Sequence, residues 1–300
     1  MNKMTIKELV NEYYKSSDFN MLAEKTKVDY SNCLSTMLNT KVSDVSIYIT
    51  KVDKLTGAMA RQSYEQWLNR GIYMANHIVA TSRKVYSFAM EMGYAEYNPF
   101  STFKCKTTKP RKITWTREQI KQMLDFCYSD FKYRSIGLIV QMAYEWCQRV
   151  GDMRLLKFED IDYKKGILNL EQSKRGASVS LPISEDLLEM LIQQKDEYGF
   201  QEYVAPVPKA IKGAYKPYTL FRLSIVARQV IRLCGLPNEL RIADLRRTGT
   251  TEMVEAGVSM GQIMSVTGHA NPQSVKPYMK NTYDSAKNAL TLRKKYDINT

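Results

Sequence analysis

The sequence predicts a mainly α-helical protein with a small β-sheet, built as a helical N-terminal domain followed by an α+β domain. Three observations carry this. Helical apolar spacing recurs through the first hundred residues, and period-two alternation is confined to a short stretch around 167–183. A Lys- and Thr-rich segment, 101–116, separates the two patterns and reads as an extended linker. The 300 residues suffice for two domains, each with its own core.

In chain order, Ile6, Leu9, Val10 and Tyr13 predict a helix over 5–16, and Val28, Tyr30, Leu34, Met37 and Leu38 a second over 24–38. Met59, Tyr64, Trp67 and Leu68 predict a third over 58–70. Ile78, Val79, Val85, Phe88, Ala89 and Met92 predict a fourth over 73–92, stopped by Gly93. The expectation is a small all-helical bundle over 1–100. Lys25, Lys27, Arg83 and Lys84 are expected on its surface, able to meet phosphates or simply to be solvated. His77 has no catalytic neighbours in sequence and reads as a packed or surface residue. The linker, 101–115, carries Lys104, Lys106, Lys109, Arg111 and, with its neighbours, Lys112, a basic run suited to a phosphate backbone.

The second domain is expected over 116–283. Thr116 and Gln119 form a capping pattern for a helix through Phe126, and Ser135–Tyr144 reads as a buried helix. Ile167, Leu168 and Leu170, then Val179, Leu181 and Ile183, predict a hairpin with its turn at 173–177. Helices follow over 185–197 and 218–234, joined by a Gly-, Pro- and Lys-containing loop over 199–217. Asp244 is expected to cap a helix ended by Gly257, and Ser259 with Gln262 to cap another ended by Gly268. Asn271-Pro272 opens a further turn. Pro277 is expected to bend it and to push Lys276 away from helical angles, leaving Tyr278 at a kink. A polar tail, 284–300, follows and on composition alone reads as frayed.

Composition narrows the partners. The net charge of +13 favours a polyanion, nucleic acid first. No apolar run is long enough to span a bilayer, and the N-terminus lacks the apolar core of a signal peptide, so a cytoplasmic protein with no membrane partner is expected. The five cysteines are scattered, with no C-x-x-C pair, and there are two histidines. Reduced thiols and no structural metal follow; a loosely held Mg²⁺ stays open.

The chemistry concentrates in 241–278. Arg246 and Arg247 lie near a helix start, His269 follows a glycine, and Tyr278 comes nine positions after that histidine. A tyrosine hydroxyl can attack phosphorus, arginine forks can hold the attacked phosphate, and a histidine can donate to a non-bridging oxygen or move a proton. Further upstream, Trp146-Cys147-Gln148-Arg149-Val150-Gly151-Asp152 places an acid three residues after an arginine.

This order resembles the boxes of the tyrosine recombinase or phage integrase family. There an Arg-Arg-Thr string is followed by Gly-His and then by a tyrosine about nine residues on. The resemblance covers almost the whole chain, including Thr26-Lys27-Val28-Asp29-Tyr30 near the start of a DNA-facing helix. It implies a core-binding domain, a linker and a catalytic domain forming a C-shaped DNA clamp, with the tail 284–300 packed on a neighbouring subunit. It also implies catalytic roles for Arg149, Lys174, Arg246, His269 and Tyr278, with Asp152 in support. Lys174 stands at the hairpin tip where the family keeps a lysine, and Arg175 is its rival for that role and otherwise a DNA contact. One departure stands out: the family's usual histidine three residues before Arg246 is Ala243 here. His269, water or Arg241 then has to cover its role.

The implied reaction is attack of Tyr278 on a DNA phosphodiester, giving a 3′-phosphotyrosine and a free 5′-hydroxyl. It needs neither ATP nor another cofactor. The implied partners are a double-stranded recombination site, further copies of the chain (monomeric in solution, tetrameric in the synapse) and an accessory DNA-bending protein. The implied setting is the nucleoid of a bacterial cell or a phage-infected host. Two alternatives remain open: a type IB topoisomerase, and a DNA-binding relative weakened by the loss at 243.

Overall fold

The structure, a computed structural model, describes residues 4–173, 176–279 and 283–297. It separates into two compact units, residues 1–111 and 112–300.

In the first unit, α1 (Ile6–Lys15) starts at a reciprocal Thr5–Glu8 capping box, and a short α2 (Ser17–Asn20) follows. The other helices are α3 (Glu24–Leu38), α4 (Gly57–Trp67) and α5 (Ile72–Glu91). Their apolar stripes meet in one core of Leu9, Tyr13, Leu34, Met37, Tyr64, Ile78, Tyr86 and Phe100, among others. The expectation of an all-helical bundle is corrected by a small hairpin, β1 (Lys41–Val42) and β2 (Val45–Ser46). Its two-residue turn, Ser43-Asp44, has positive φ at both positions, the twist that joins antiparallel strands tightly.

The surface cations of this unit are less uniform than expected. Arg83 is half-buried, donating from Nε to Phe100 O at 2.8 Å and from a terminal nitrogen to Phe103 O at 3.2 Å. It ties the chain's exit to α5. Lys27 is also partly buried and lies 2.6 Å from Glu24, while Lys84 lies 2.9 Å from Asp18. Lys25 and His77 are exposed. Along 101–111 the backbone is irregular, held by Tyr64 and Asn76: the Lys106 N–H donates to the Tyr64 hydroxyl, and Asn76 Nδ2 donates to Lys106 O, both at 2.8 Å.

The second unit is built on α7 (Phe131–Glu145), which follows α6 (Arg117–Ser129). From Ile136 to Ala143 α7 is buried on nearly every side, as an apolar stretch without a polar face must be. After a short α8 (Val150–Met153) comes a three-stranded antiparallel sheet, β3 (Ile161–Asp162), β4 (Ile167–Glu171) and β5 (Ser178–Pro182), in that spatial order. Leu168 pairs with Leu181 and Leu170 with Val179, so one face of the hairpin enters the core. Then come α9 (Glu185–Tyr198), α10 (Leu220–Leu233), α11 (Leu245–Glu255), α12 (Met260–Thr267) and α13 (Tyr283–Asp297). Leu290 and Leu292 of α13 are exposed.

Two local expectations are corrected. Asp244 occupies the cap position of α11 but has helical backbone angles and makes no capping bond, because a 3₁₀ turn over Ile242–Asp244 runs directly into the helix. Lys276 is not pushed out of helical geometry: Lys276–Tyr278 form a 3₁₀ turn, with Pro277 where its missing N–H is not required.

Candidate functional site

The site is assembled from four separated segments of the second unit. The first begins where α7 stops. Cys147 has φ +51, a left-handed conformation unusual for a residue with a Cβ. It reverses the chain, and beyond it Gln148 is wholly buried while Arg149 occupies the position before α8 with a partly exposed side chain. Asp152, one turn on, is buried, with Oδ2 3.6 Å from an Arg149 terminal nitrogen. Its Oδ1 accepts from the Ser173 N–H at 3.3 Å and from the Ser173 hydroxyl. Asp152 therefore holds the base of the β4–β5 turn. Lys174 and Arg175, the candidates at that turn, lie outside the described residues.

The second segment is Gln172, fully buried beside that turn. Its Oε1 accepts from Arg149 at 2.9 Å, and its Nε2 donates to Gln148 Oε1 at 2.6 Å and to Thr267 O at 2.8 Å. Gln148 Nε2 in turn donates to Trp146 O and Val266 O. Gly268 makes this approach possible. It has φ +67, and a Cβ there would lie 2.5 Å from Gln172 Nε2. Gln148 and Gln172 lie outside the residues that the sequence motifs single out for a role. The available signal was adjacency, since one precedes Arg149 and the other lies two residues before Lys174.

The third segment is the first turn of α11. It is fixed from outside by Trp115, whose N–H donates to the Thr248 hydroxyl and whose indole donates to Arg241 O, both at 3.0 Å. Arg246 is 8% exposed. One terminal nitrogen donates to Thr267 O at 2.8 Å and lies 3.1 Å from His269 Nε2; the other is 3.5 Å from Gln148 Oε1. Burial first, and then the like charge of Arg149, push Arg246 down to about 10. It remains a cation at neutral pH, held in a place that disfavours cations. Such a group is stabilised by an incoming anion. Ala243 and Arg241, the supporting candidates, are exposed and line a cavity of about 280 Å³ together with Val150, Leu223, Ser224 and Arg228.

The fourth segment follows α12. His269 Nδ1 lies 2.7 Å from the Thr267 hydroxyl. The ring centroids of His269 and Tyr278 are 6.1 Å apart, and the Arg247 guanidinium sits 5.3 Å from the centre of the Tyr278 ring. The structure thus gathers Arg149, Asp152, Arg246, His269 and Tyr278. Arg247 is an addition, a cation over the face of the Tyr278 ring within cation–π range. Among the described residues no cluster of His, Cys, Asp and Glu has the make-up of a metal site. No described helix is long and apolar enough to cross a membrane.

A mostly helical α+β unit carrying two arginines, a histidine and a tyrosine in this arrangement defines a class, and comparison with known proteins agrees. Residues 114–285 match the Phage integrase family, and the chain belongs to that family of tyrosine recombinases. Among curated relatives, tyrosine recombinase XerA of Pyrococcus furiosus is 27% identical over 190 residues, covering 62% of this chain and 63% of that one. The shufflon-specific DNA recombinase of Escherichia coli is 24% identical over 196 residues, 63% of this chain and 46% of its own length. The chain therefore spans less than two thirds of these relatives. The fold is shared with a lambda integrase (residues 75–356) solved as a dimer bound to a COC′ core site, at TM-score 0.73 and 19% identity, covering 90% of this chain and 97% of that one. It is also shared with the Tn1549 transposon integrase solved with circular intermediate DNA, at TM-score 0.75 and 15% identity, covering 96% and 99%.

Proposed function

We propose that the protein is a site-specific DNA recombinase that cuts and rejoins DNA through a 3′-phosphotyrosine at Tyr278, serving integration or excision. The observation that supports this best is the pairing of a buried Arg246 with a neighbouring Arg149 beside the His269–Tyr278 pair. Two guanidiniums set close together cost stability unless an anion joins them, and a phosphodiester fits both their charge and their forked geometry.

In this reading the Tyr278 oxygen attacks phosphorus while Arg149 and Arg246 hold the non-bridging oxygens, whose charge is greatest in the transition state. Lys174 protonates the departing 5′-oxygen, and Asp152, through Ser173, anchors the turn that carries it. The phosphotyrosine conserves the energy of the broken bond, so rejoining needs no ATP. The basic segment 104–112 follows the DNA backbone, and copies of the chain assemble on paired recombination sites.

The test is incubation with two duplexes carrying the DNA that flanks the protein's own gene, followed by sequencing of the junctions. Reciprocal junctions at one fixed position support the reading. Relaxation of a supercoiled plasmid without junctions points instead to a type IB topoisomerase, and binding with neither outcome to a DNA-binding relative.

A further inference from the structure

The donors and acceptors around His269 fix its state. Arginine nitrogens only donate, so the 3.1 Å contact from Arg246 makes His269 Nε2 an acceptor. The ring proton must then sit on Nδ1, where it faces the Thr267 hydroxyl at 2.7 Å. That hydroxyl is free to accept because its own proton goes to Ile263 O at 2.7 Å. Thr267 is wholly buried, and its carbonyl is taken by Arg246 and Gln172. Among the described contacts, the chain Ile263–Thr267–His269–Arg246 is consistent with the ring proton on Nδ1 and the Nε2 lone pair on the Arg246 side. At position 243, where the family's usual base would stand, an alanine offers no proton acceptor.

We infer that His269 Nε2 is the general base for Tyr278, and that Thr267 is the positioning residue that holds the ring in the Nδ1–H form this requires. The inference rests on the recombinase reading. A bound phosphate draws the Arg246 donor off Nε2 and frees its lone pair. The Tyr278 O–H proton moves to Nε2, the phenolic oxygen forms its bond to phosphorus, and the P–O5′ bond breaks as the leaving oxygen takes a proton from Lys174. His269, now protonated on both nitrogens, becomes a donor to a non-bridging oxygen. On rejoining, every proton returns by the same path. Among the described residues, the charged or titratable groups around this centre include Arg246, with Arg149, Asp152, Cys147 and Tyr278 about it, and Arg247 on the tyrosine ring.

Two readouts separate failure of this inference from failure of the recombinase reading. The first needs no DNA. With only His77 and His269 present, long-range ¹H–¹⁵N spectra, assigned with His77→Ala, report the tautomer directly. Wild type is expected as Nδ1–H, Thr267→Val as a mixture, and Thr267→Ser as wild type. A predominant Nε2–H form in wild type overturns the inference whatever the DNA result. The second readout is single-turnover covalent capture of a nicked duplex carrying the flanking sequence, from pH 5 to 9. The wild-type rate should rise with pH to a plateau as the imidazole loses its proton. His269→Ala should lose that rising limb and fall by about 100-fold or more. Thr267→Val should lower the plateau roughly tenfold and Thr267→Ser should restore it, as expected for loss and recovery of a base's positioning. A rising limb retained in His269→Ala, or a Thr267→Val profile identical to wild type, overturns the inference. If the spectra are as expected but wild type captures no DNA, the recombinase reading falls and takes the base assignment with it.

Discussion

Gln172 donates to the side-chain oxygen of Gln148 across 2.6 Å, and neither residue has any exposed surface. This pair joins the end of α7 to the edge of the β4–β5 turn, and each partner turns an oxygen toward one of the two arginines. Gln172→Leu leaves Gln148 Oε1 and Arg149 each short of a partner. A buried polar group without a partner costs about 1–3 kcal/mol, so a loss on the order of 2–4 kcal/mol is expected in chemical denaturation. Because the two amides satisfy each other, Gln148→Leu combined with Gln172→Leu should cost clearly less than the two single changes added together. Additive losses would show that the two side chains act independently.

Gly249 lets α11 approach the end of α7. A Cβ there would lie 2.5 Å from Cys147 Sγ and 2.9 Å from Tyr144 O. Alanine gains about 1 kcal/mol of helix propensity over glycine. The collision with a backbone oxygen and a buried sulfur outweighs it, since overpacking costs typically about 1–3 kcal/mol. Gly249→Ala should therefore lower the melting temperature, whereas Gly261→Ala, with open space around its Cβ position, should not.

Ala243 lies against an open cavity rather than a filled one, and Arg241 beside it is exposed. That cavity, about 280 Å³, offers room for a larger side chain. Ala243→His should fold normally and raise the rate of single-turnover cleavage about tenfold, as a second base would. The gain should appear near and above pH 7, where a histidine of ordinary pKa is neutral and able to take a proton. A slower enzyme of unchanged stability would mean that the space is needed empty.

DNA affinity should fall steeply with salt, as counterion release requires. Lys104, Lys109 and Lys112 are exposed, whereas the Lys106 ammonium already lies 3.5 Å from Glu65. Alanine at Lys104, Lys109 or Lys112 should each flatten the slope of log K against log salt by roughly 0.9, and alanine at Lys106 by less. Equal effects at all four, or none, would contradict this placement.

Much of the frame was legible because it depends on local signals. The capping boxes at Thr116–Gln119 and Ser259–Gln262 form as their spacing implies, and the second long helix of the first unit runs over 24–38 as its apolar spacing predicts. The β1–β2 hairpin was not legible, since strands of two residues show no alternation and its Ser-Asp turn lacks the usual glycine. The Gln148–Gln172 bridge escaped for a different reason. A buried polar pair obeys no periodicity, and its partners lie 24 residues apart in the chain. Arg247 was visible only as the neighbour of Arg246; its place over the Tyr278 ring comes from the 3₁₀ turn at Lys276–Tyr278.

Tyr278 is the proposed nucleophile. It lies nine residues after His269, with the two ring centroids 6.1 Å apart, and Tyr283 is the next tyrosine in the chain. The direct measurement is covalent capture on a nicked suicide duplex, followed by proteolysis and mass spectrometry of the nucleotide-bearing peptide. The adduct should map to Tyr278, disappear in Tyr278→Phe and persist in Tyr283→Phe. An adduct that survives in Tyr278→Phe, or one that maps to Tyr283, would contradict the account.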